Sequence, residues 1–236
     1  TLLSGVRGRN KAPGQFRTTQ NHIGSDFRFN PPPPEHLAEC LDNFEKILNN
    51  EELPYDPLVY SYLLHYQFEA MHPFLDGNGR VGRALLSLMI FRYCGLSMPW
   101  LYMSPFFERY RDEYINNLFG VSTHGDWQTW IAFCLRGTIE QAVDSIDRCD
   151  ALQTLREQFH ELLASASPRA HSIVEGLFTS PVLTVPAAAR YHCVSYPTAK
   201  SDILKLVALE ILAEIPDSHP RLYYCNAIVR TAYREP

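Results

Sequence analysis

Between residues 72 and 83 the chain reads His72-Pro73-Phe74-Leu75-Asp76-Gly77-Asn78-Gly79-Arg80-Val81-Gly82-Arg83, and few folds have a use for such a run. A candidate base, a carboxylate, a carboxamide, two guanidiniums and three glycines fall within twelve residues, a density of polar function that packing does not call for. His72 is a proton acceptor near neutral pH. Asp76 is a hard oxygen ligand suited to Mg²⁺. Gly77-Asn78-Gly79 can turn backbone N–H groups into a concavity that binds phosphate oxygens. Arg80 and Arg83, three apart, share a helix face from which both can reach one polyanion. The combination is that of a phosphate cradle beside a base.

The same letters satisfy a second pattern. Gly77 to Gly82 spells G-N-G-R-V-G, which fits the G-x-G-x-x-G dinucleotide fingerprint. That fingerprint has meaning only after a strand, inside a βαβ unit. Here the preceding residues 57–71 lack strand-like alternation, Asp56 can cap a helix, and Pro57 suits its first position. Dinucleotide binding is disfavoured on that ground. A P-loop is excluded because no G-K-[ST] follows the glycines.

The stretch resembles the signature of the Fic domain family, H-P-F-x-[D/N]-G-N-G-R-x-x-R. His72, Pro73, Phe74, Asp76, Gly77, Asn78, Gly79, Arg80 and Arg83 meet every specified position. Gln20-Asn21-His22-Ile23-Gly24, the Pro31–Pro34 run, His65-Tyr66-Gln67-Phe68-Glu69 and Gly125-Asp126-Trp127 are similar to the same family, so the resemblance covers about residues 1–145. It implies a mainly α fold: a helical bundle with a β-hairpin flap near Ile23, followed by a small α+β domain of the winged-helix type. It also implies an enzyme that moves AMP from ATP to a Ser, Thr or Tyr hydroxyl of a target protein or of itself. In that role His72 is the general base, Asp76 the Mg²⁺ ligand, Gly77, Asn78 and Gly79 the amide donors to phosphate, and Arg80 and Arg83 the β- and γ-phosphate contacts. The flap pairs with an extended segment of the target. Tyr110 and Tyr114, four apart on a helix that borders the adenine pocket in the family, are candidate base contacts, although aromatics at that spacing more often pack in a core. Relatives of this fold also transfer UMP, phosphate or phosphocholine, or remove AMP. Many carry an inhibitory [S/T]-x-x-x-E-[G/N] helix. The nearest match here, Glu175-Gly176, has His171 where Ser or Thr belongs, and such a helix could have stood upstream of Thr1.

A formal charge of −5 over 236 residues argues against a protein that coats nucleic acid. Six scattered cysteines without a C-x-x-C pair read as reduced thiols, hence a cytoplasmic location. No apolar run is long enough to span a membrane, and no signal peptide opens the sequence. Basic residues 7–11 form a solvated loop before a Pro13-Gly14 turn, and Pro31–Pro34 a stiff connector rather than an SH3 ligand.

Helices are expected over about 35–49, 57–71, 80–94, 104–121 and 127–148, the last continuing toward 164. Val81, Leu85, Leu88 and Met89 supply the buried stripe of the third. Ser165-Ala166-Ser167-Pro168 marks a boundary between a catalytic domain, 1–164, and a winged-helix-like domain, 165–236. In the latter, helices over 169–178, 185–191 and 197–208 precede strands near 210–215 and 221–225. Lys200 and Lys205 on the candidate recognition helix are offset by Asp202 and Glu210, so protein contact or homo-oligomer formation is favoured over DNA binding.

Overall fold

A computed structural model describes residues 12, 14–23, 29–50 and 52–233. The basic loop at 7–11, Pro13 of the expected turn and Gly24 of the expected flap lie outside the described residues. The chain forms two compact units, Thr1–Ser145 and Ile146–Pro236.

In the first unit, α1 (Pro34–Leu48) starts at the last residue of the proline run, whose fixed φ suits a first helical turn. Leu37 and Phe44 are buried while Ile47 faces solvent. Helix α2 (Pro57–Met71) has the expected bounds, because Asp56 accepts hydrogen bonds from the N–H groups of Leu58 and Val59 at 2.9 and 3.3 Å. Its buried residues, from Tyr60 to Met71, cover more than one face, as befits a helix surrounded by others.

Helix α3 (Asn78–Tyr93) begins two residues earlier than expected, directly on the glycine loop. Its buried stripe also differs. Gly82, Leu86, Met89 and Ile90 face inward, and Leu88 is 56% exposed. The cause is Gly82, which lies against Phe68 and Glu69 of α2 so closely that a Cβ would collide with both. That approach sets the rotation of α3 and turns Leu88 outward.

The single pattern expected over 104–121 is two helices, α4 (Ser104–Arg109) and α5 (Arg111–His124), broken at Tyr110. Gly125, at φ 67°, closes α5 in the left-handed conformation that favours glycine. Asp126 then accepts a hydrogen bond from the Thr129 N–H at 3.1 Å at the start of α6 (Trp127–Leu162). Tyr62, Phe106 and Trp130 are fully buried at the centre of this unit.

The second unit runs α7 (Pro168–Thr179), β1 (Val182–Thr184), α8 (Val185–Tyr191), α9 (Tyr196–Ala208), β2 (Ala213–Ile215), β3 (Leu222–Tyr224) and α10 (Asn226–Ala232). Ser167, Thr184 and Ser195 cap α7, α8 and α9. The antiparallel sheet has order β1-β3-β2, with Leu183 and Glu214 both opposite the buried Tyr223. Neither β1 nor α10 was expected; three and seven residues are too short for a periodic pattern to declare itself. Asp202 corrects the charge argument made from sequence. It is buried and paired with Arg169, so it does not offset Lys200 and Lys205 on the exposed side of α9.

Candidate functional site

The site is built where α2 ends and α3 begins, the pair of helices in most extensive contact. His72 ends α2 in the left-handed region, at φ 46°. Its Nδ1 lies 3.3 Å from the main-chain oxygen of Glu69, which can only accept, so Nδ1 carries the proton and Nε2 of the neutral ring keeps its lone pair. A histidine at a helix C-terminus would gain stability when charged. Here burial, reinforced by the positive charge of Arg17, wins and pulls the His72 pKa down to about 4. The proton-accepting form is therefore the resident one at neutral pH.

Arg17 holds this end of α2 in place. Its Nε donates to the His72 carbonyl at 2.9 Å, and its Nη2 to those of Pro32 and Met71 at 2.5 and 3.3 Å. Its own main-chain N–H bonds the Pro73 carbonyl at 2.9 Å. The carbonyls of Met71 and His72, which have no acceptor role left inside the helix, thus find donors.

The loop after His72 is braced by Asn78, only 2% exposed. Its Oδ1 accepts from the Phe74 N–H at 2.8 Å, and its Nδ2 donates to the Phe74 carbonyl at 2.7 Å. Asn21 donates to that same carbonyl at 3.0 Å. Gly77, at φ 89°, precedes the first turn of α3, and the first ladder bond is from the Val81 N–H to the Gly77 carbonyl at 3.0 Å. The N–H groups of Asn78 and Gly79 have no helical acceptor, and with the helix dipole they form an anion-binding terminus.

Arg80 lies on that turn and Arg83 on the next. Arg80 is 3.6 Å from Asp76, and both side chains are about one-third exposed, at 37% and 36%. Arg83 donates through Nε to Ser104 Oγ at 3.1 Å. Its guanidinium folds back over Gly79, where a Cβ would sit 2.9 Å from Nη1. Beneath it, burial first and Arg83 second lower the pKa of the fully buried His65 to about 3, and burial raises that of Glu69 to about 7.

The two tyrosines fall in different settings. Tyr110 stacks in an aromatic cluster, 4.8 Å from the Phe106 ring and 5.1 Å under the Arg136 guanidinium. Tyr114 is buried, bonded through its hydroxyl to His65 Nε2 at 3.0 Å, and its ring packs 4.6 Å from that of Phe107. It also borders a mainly apolar cavity of about 100 Å³ with Ile23, Phe29, Tyr66, Ile115 and Phe119. Ile23 and Phe29 form an antiparallel bridge. Sequence reasoning brought together His72, Asp76 and residues 77–83. It did not single out Arg17, Asn21, Glu69 or Ser104, whose partners are 13 to 55 residues away. Only the quoted stretches around Asn21 and Glu69 gave a signal.

Comparisons with known proteins point to one family. The Fic/DOC family profile matches residues 1–90. Protein adenylyltransferase Fic of Drosophila willistoni is 29% identical over 178 residues, 71% of this chain and 33% of that protein. Its counterpart in Drosophila grimshawi is 40% identical over 133 residues, 54% of this chain and 25% of that protein. Protein adenylyltransferase fic-1 of Caenorhabditis elegans is 42% identical over 80 residues, 34% and 15% of the two chains. The chain thus spans at most a third of the length of these relatives. A Fic family protein from Desulfovibrio desulfuricans shares the fold at 19% identity, with a TM-score of 0.53 over 93% of this chain and 65% of its own. Over residues 1–90, then, this chain is similar to the Fic/DOC family.

Proposed function

We propose that the chain is a protein adenylyltransferase, which transfers AMP from ATP to a hydroxyl side chain of a target protein or of itself. The observation that carries the reading is the fixed tautomer of His72. A neutral imidazole presents Nε2 as acceptor beside a helix terminus suited to phosphate.

In the transfer, the hydroxyl oxygen attacks the α-phosphorus while its proton passes to His72 Nε2. The bond from the α-phosphorus to the bridging oxygen breaks, and pyrophosphate leaves. The amides of Asn78 and Gly79 hold phosphate oxygens, Arg80 meets the β-phosphate and Arg83 the γ-phosphate. The cavity bordered by Tyr114 is of the apolar kind that suits a planar base. Among the described residues no group of three His, Cys, Asp or Glu side chains could hold a metal. Asp76 alone fits Mg²⁺ that arrives with the nucleotide, since that ion is commonly held by one carboxylate, phosphates and water. Bound there, Mg²⁺ supplies neutralisation of the leaving pyrophosphate.

The Ile23–Phe29 bridge gives a target segment a backbone edge near Ile23 to pair with. The second unit has the element order of a winged helix. All six cysteines are free, which fits a reducing, cytoplasmic setting. Mass spectrometry of the chain and of candidate targets after incubation with Mg·ATP tests the proposal. A mass gain of one AMP is expected, abolished in His72→Ala with ATP binding retained. Full transfer by His72→Ala would refute the role of the imidazole.

A further inference from the structure

The apolar walls of the cavity beside Tyr114 suit any planar base, and choice among bases needs a polar group within reach. Most polar side chains there are already engaged. Tyr114 is bonded to His65 at 3.0 Å, and the Tyr66 hydroxyl lies 2.8 Å from Ser122 Oγ, which donates to the Leu118 carbonyl at 2.9 Å. Asn116 faces solvent. Glu69, in the last turn of α2, differs from these. It lines the same cavity and is only 7% exposed. Its Oε1 is sealed against Gly82 of α3, where the Cβ of any other residue would collide with it. Its Oε2 is not sealed, and no donor among the described residues reaches it. The open side of the carboxyl is thus the side that meets the cavity. A carboxyl in apolar surroundings with neither oxygen hydrogen-bonded is costly, and it calls for a donor from outside the chain.

We propose that Glu69 reads the base of the nucleotide: its open oxygen accepts a hydrogen bond from an exocyclic amine, which adenine presents at N6, and rejects a ring with a carbonyl at that edge. This rests on the reading of the cavity as the base site of an adenylyltransferase. Adenine offers the N6 amine as a donor, whereas guanine offers O6 and uracil O4 as acceptors. Two acceptors set face to face in an apolar cavity lose their water and gain no bond. A site built to hydrogen-bond one substrate group therefore rejects an analogue lacking it more strongly than a mismatch of shape does. The carboxyl keeps a lone pair for the amine whether neutral or charged. Burial raises its pKa to about 7, so at pH 8 it is mainly ionised and only accepts.

The test measures, at pH 8, binding to the full chain of three triphosphates that differ in what the purine presents at position 6. ATP presents a donor, purine riboside triphosphate a hydrogen, and inosine triphosphate an acceptor. The wild-type chain is expected to bind ATP about ten-fold or more tightly than purine riboside triphosphate, the scale of one hydrogen bond to a charged acceptor. Inosine triphosphate is expected to bind most weakly. Glu69→Gln keeps the preference for ATP over purine riboside triphosphate, but its amide can turn the NH2 toward O6, so the penalty on inosine triphosphate shrinks. Glu69→Leu binds all three alike. A merely structural role for Glu69 would weaken the three together in Glu69→Leu and leave their order unchanged. That result would overturn the proposal. So would equal wild-type affinities for ATP and purine riboside triphosphate, a comparison that needs no variant to fold, and the adenylyltransferase reading would survive it. A wild-type chain that binds none of the three defeats that reading, and the role of Glu69 falls with it.

Discussion

Replacing Glu69 by glutamine should stabilise the protein at alkaline pH and leave it unchanged, or less stable, at acid pH. Burial raises the Glu69 carboxyl from its usual value of 4.5 to about 7 in the folded chain. Below about pH 4.5 the group is protonated in both the folded and unfolded states and burial carries no ionic cost. As pH rises, the unfolded chain ionises first, and the folded chain follows only near 7. The stability Glu69 contributes is thus fully present in acid and lost as pH rises through the folded value. A displacement from 4.5 to about 7 corresponds to about 3 kcal/mol at pH 8, at about 1.4 kcal/mol per pH unit. Glutamine has nearly the same shape and no charge, so its effect on packing is a constant offset. Urea denaturation of wild type and Glu69→Gln at intervals from pH 4 to 8 isolates the titration, because every other group cancels in the difference. The difference should swing by about 3 kcal/mol in favour of the variant across that range. A difference that stays flat would show that the carboxyl is as well solvated in the folded chain as in the unfolded one, and the burial argument would fail.

Asn78→Ala should cost about 2 kcal/mol, since it leaves the Phe74 N–H without an acceptor, whereas Asn21→Ala should cost about 1 because the Phe74 carbonyl keeps Asn78; equal shifts in thermal unfolding would refute the asymmetry. Arg17→Met removes three charge-assisted bonds to carbonyls at the end of α2 and should cost more than about 3 kcal/mol. It should also raise the His72 pKa, visible by NMR titration, because a nearby positive charge is gone; an unmoved titration would show that burial acts alone. Gly77→Ala places a side chain at φ 89° and should cost about 1–2 kcal/mol while weakening ATP; unaltered binding would separate the loop conformation from the anion site.

Much of this architecture was legible wherever the cause is local. Asp56 and Pro57 announce the start of α2, Gly95 stands at φ 62° just past α3, and Ser195 caps α9, each through chemistry confined to a few neighbours in sequence. The shape of the glycine loop was legible for the same reason, since Asn78 braces Phe74 within the stretch itself. What stayed hidden depends on partners far away. Arg17 reads as an ordinary cation until its guanidinium is seen among the carbonyls of Pro32, Met71 and His72. Asp202 reads as surface charge until Arg169 draws it inward.

Gly82 shows how a distant partner gives a residue its meaning. In sequence it completes G-x-G-x-x-G, and a dinucleotide site would need that glycine for a helix packed on a strand. The structure places a helix, α2, before the loop, and the glycine does a related job against a different surface. It brings α3 close to α2, turns Leu88 to solvent, and opens the gap in which Glu69 sits. A pattern of glycines therefore records close approach of backbones, while the chemistry served by that approach is decided by the element on the other side. Here that element ends in a buried carboxyl and, one turn later, an imidazole: the first set against Gly82, the second bonded back to the Glu69 main-chain oxygen. In the proposed reaction helix α2 thus supplies the base, and its burial on more than one face fixes where that base stands.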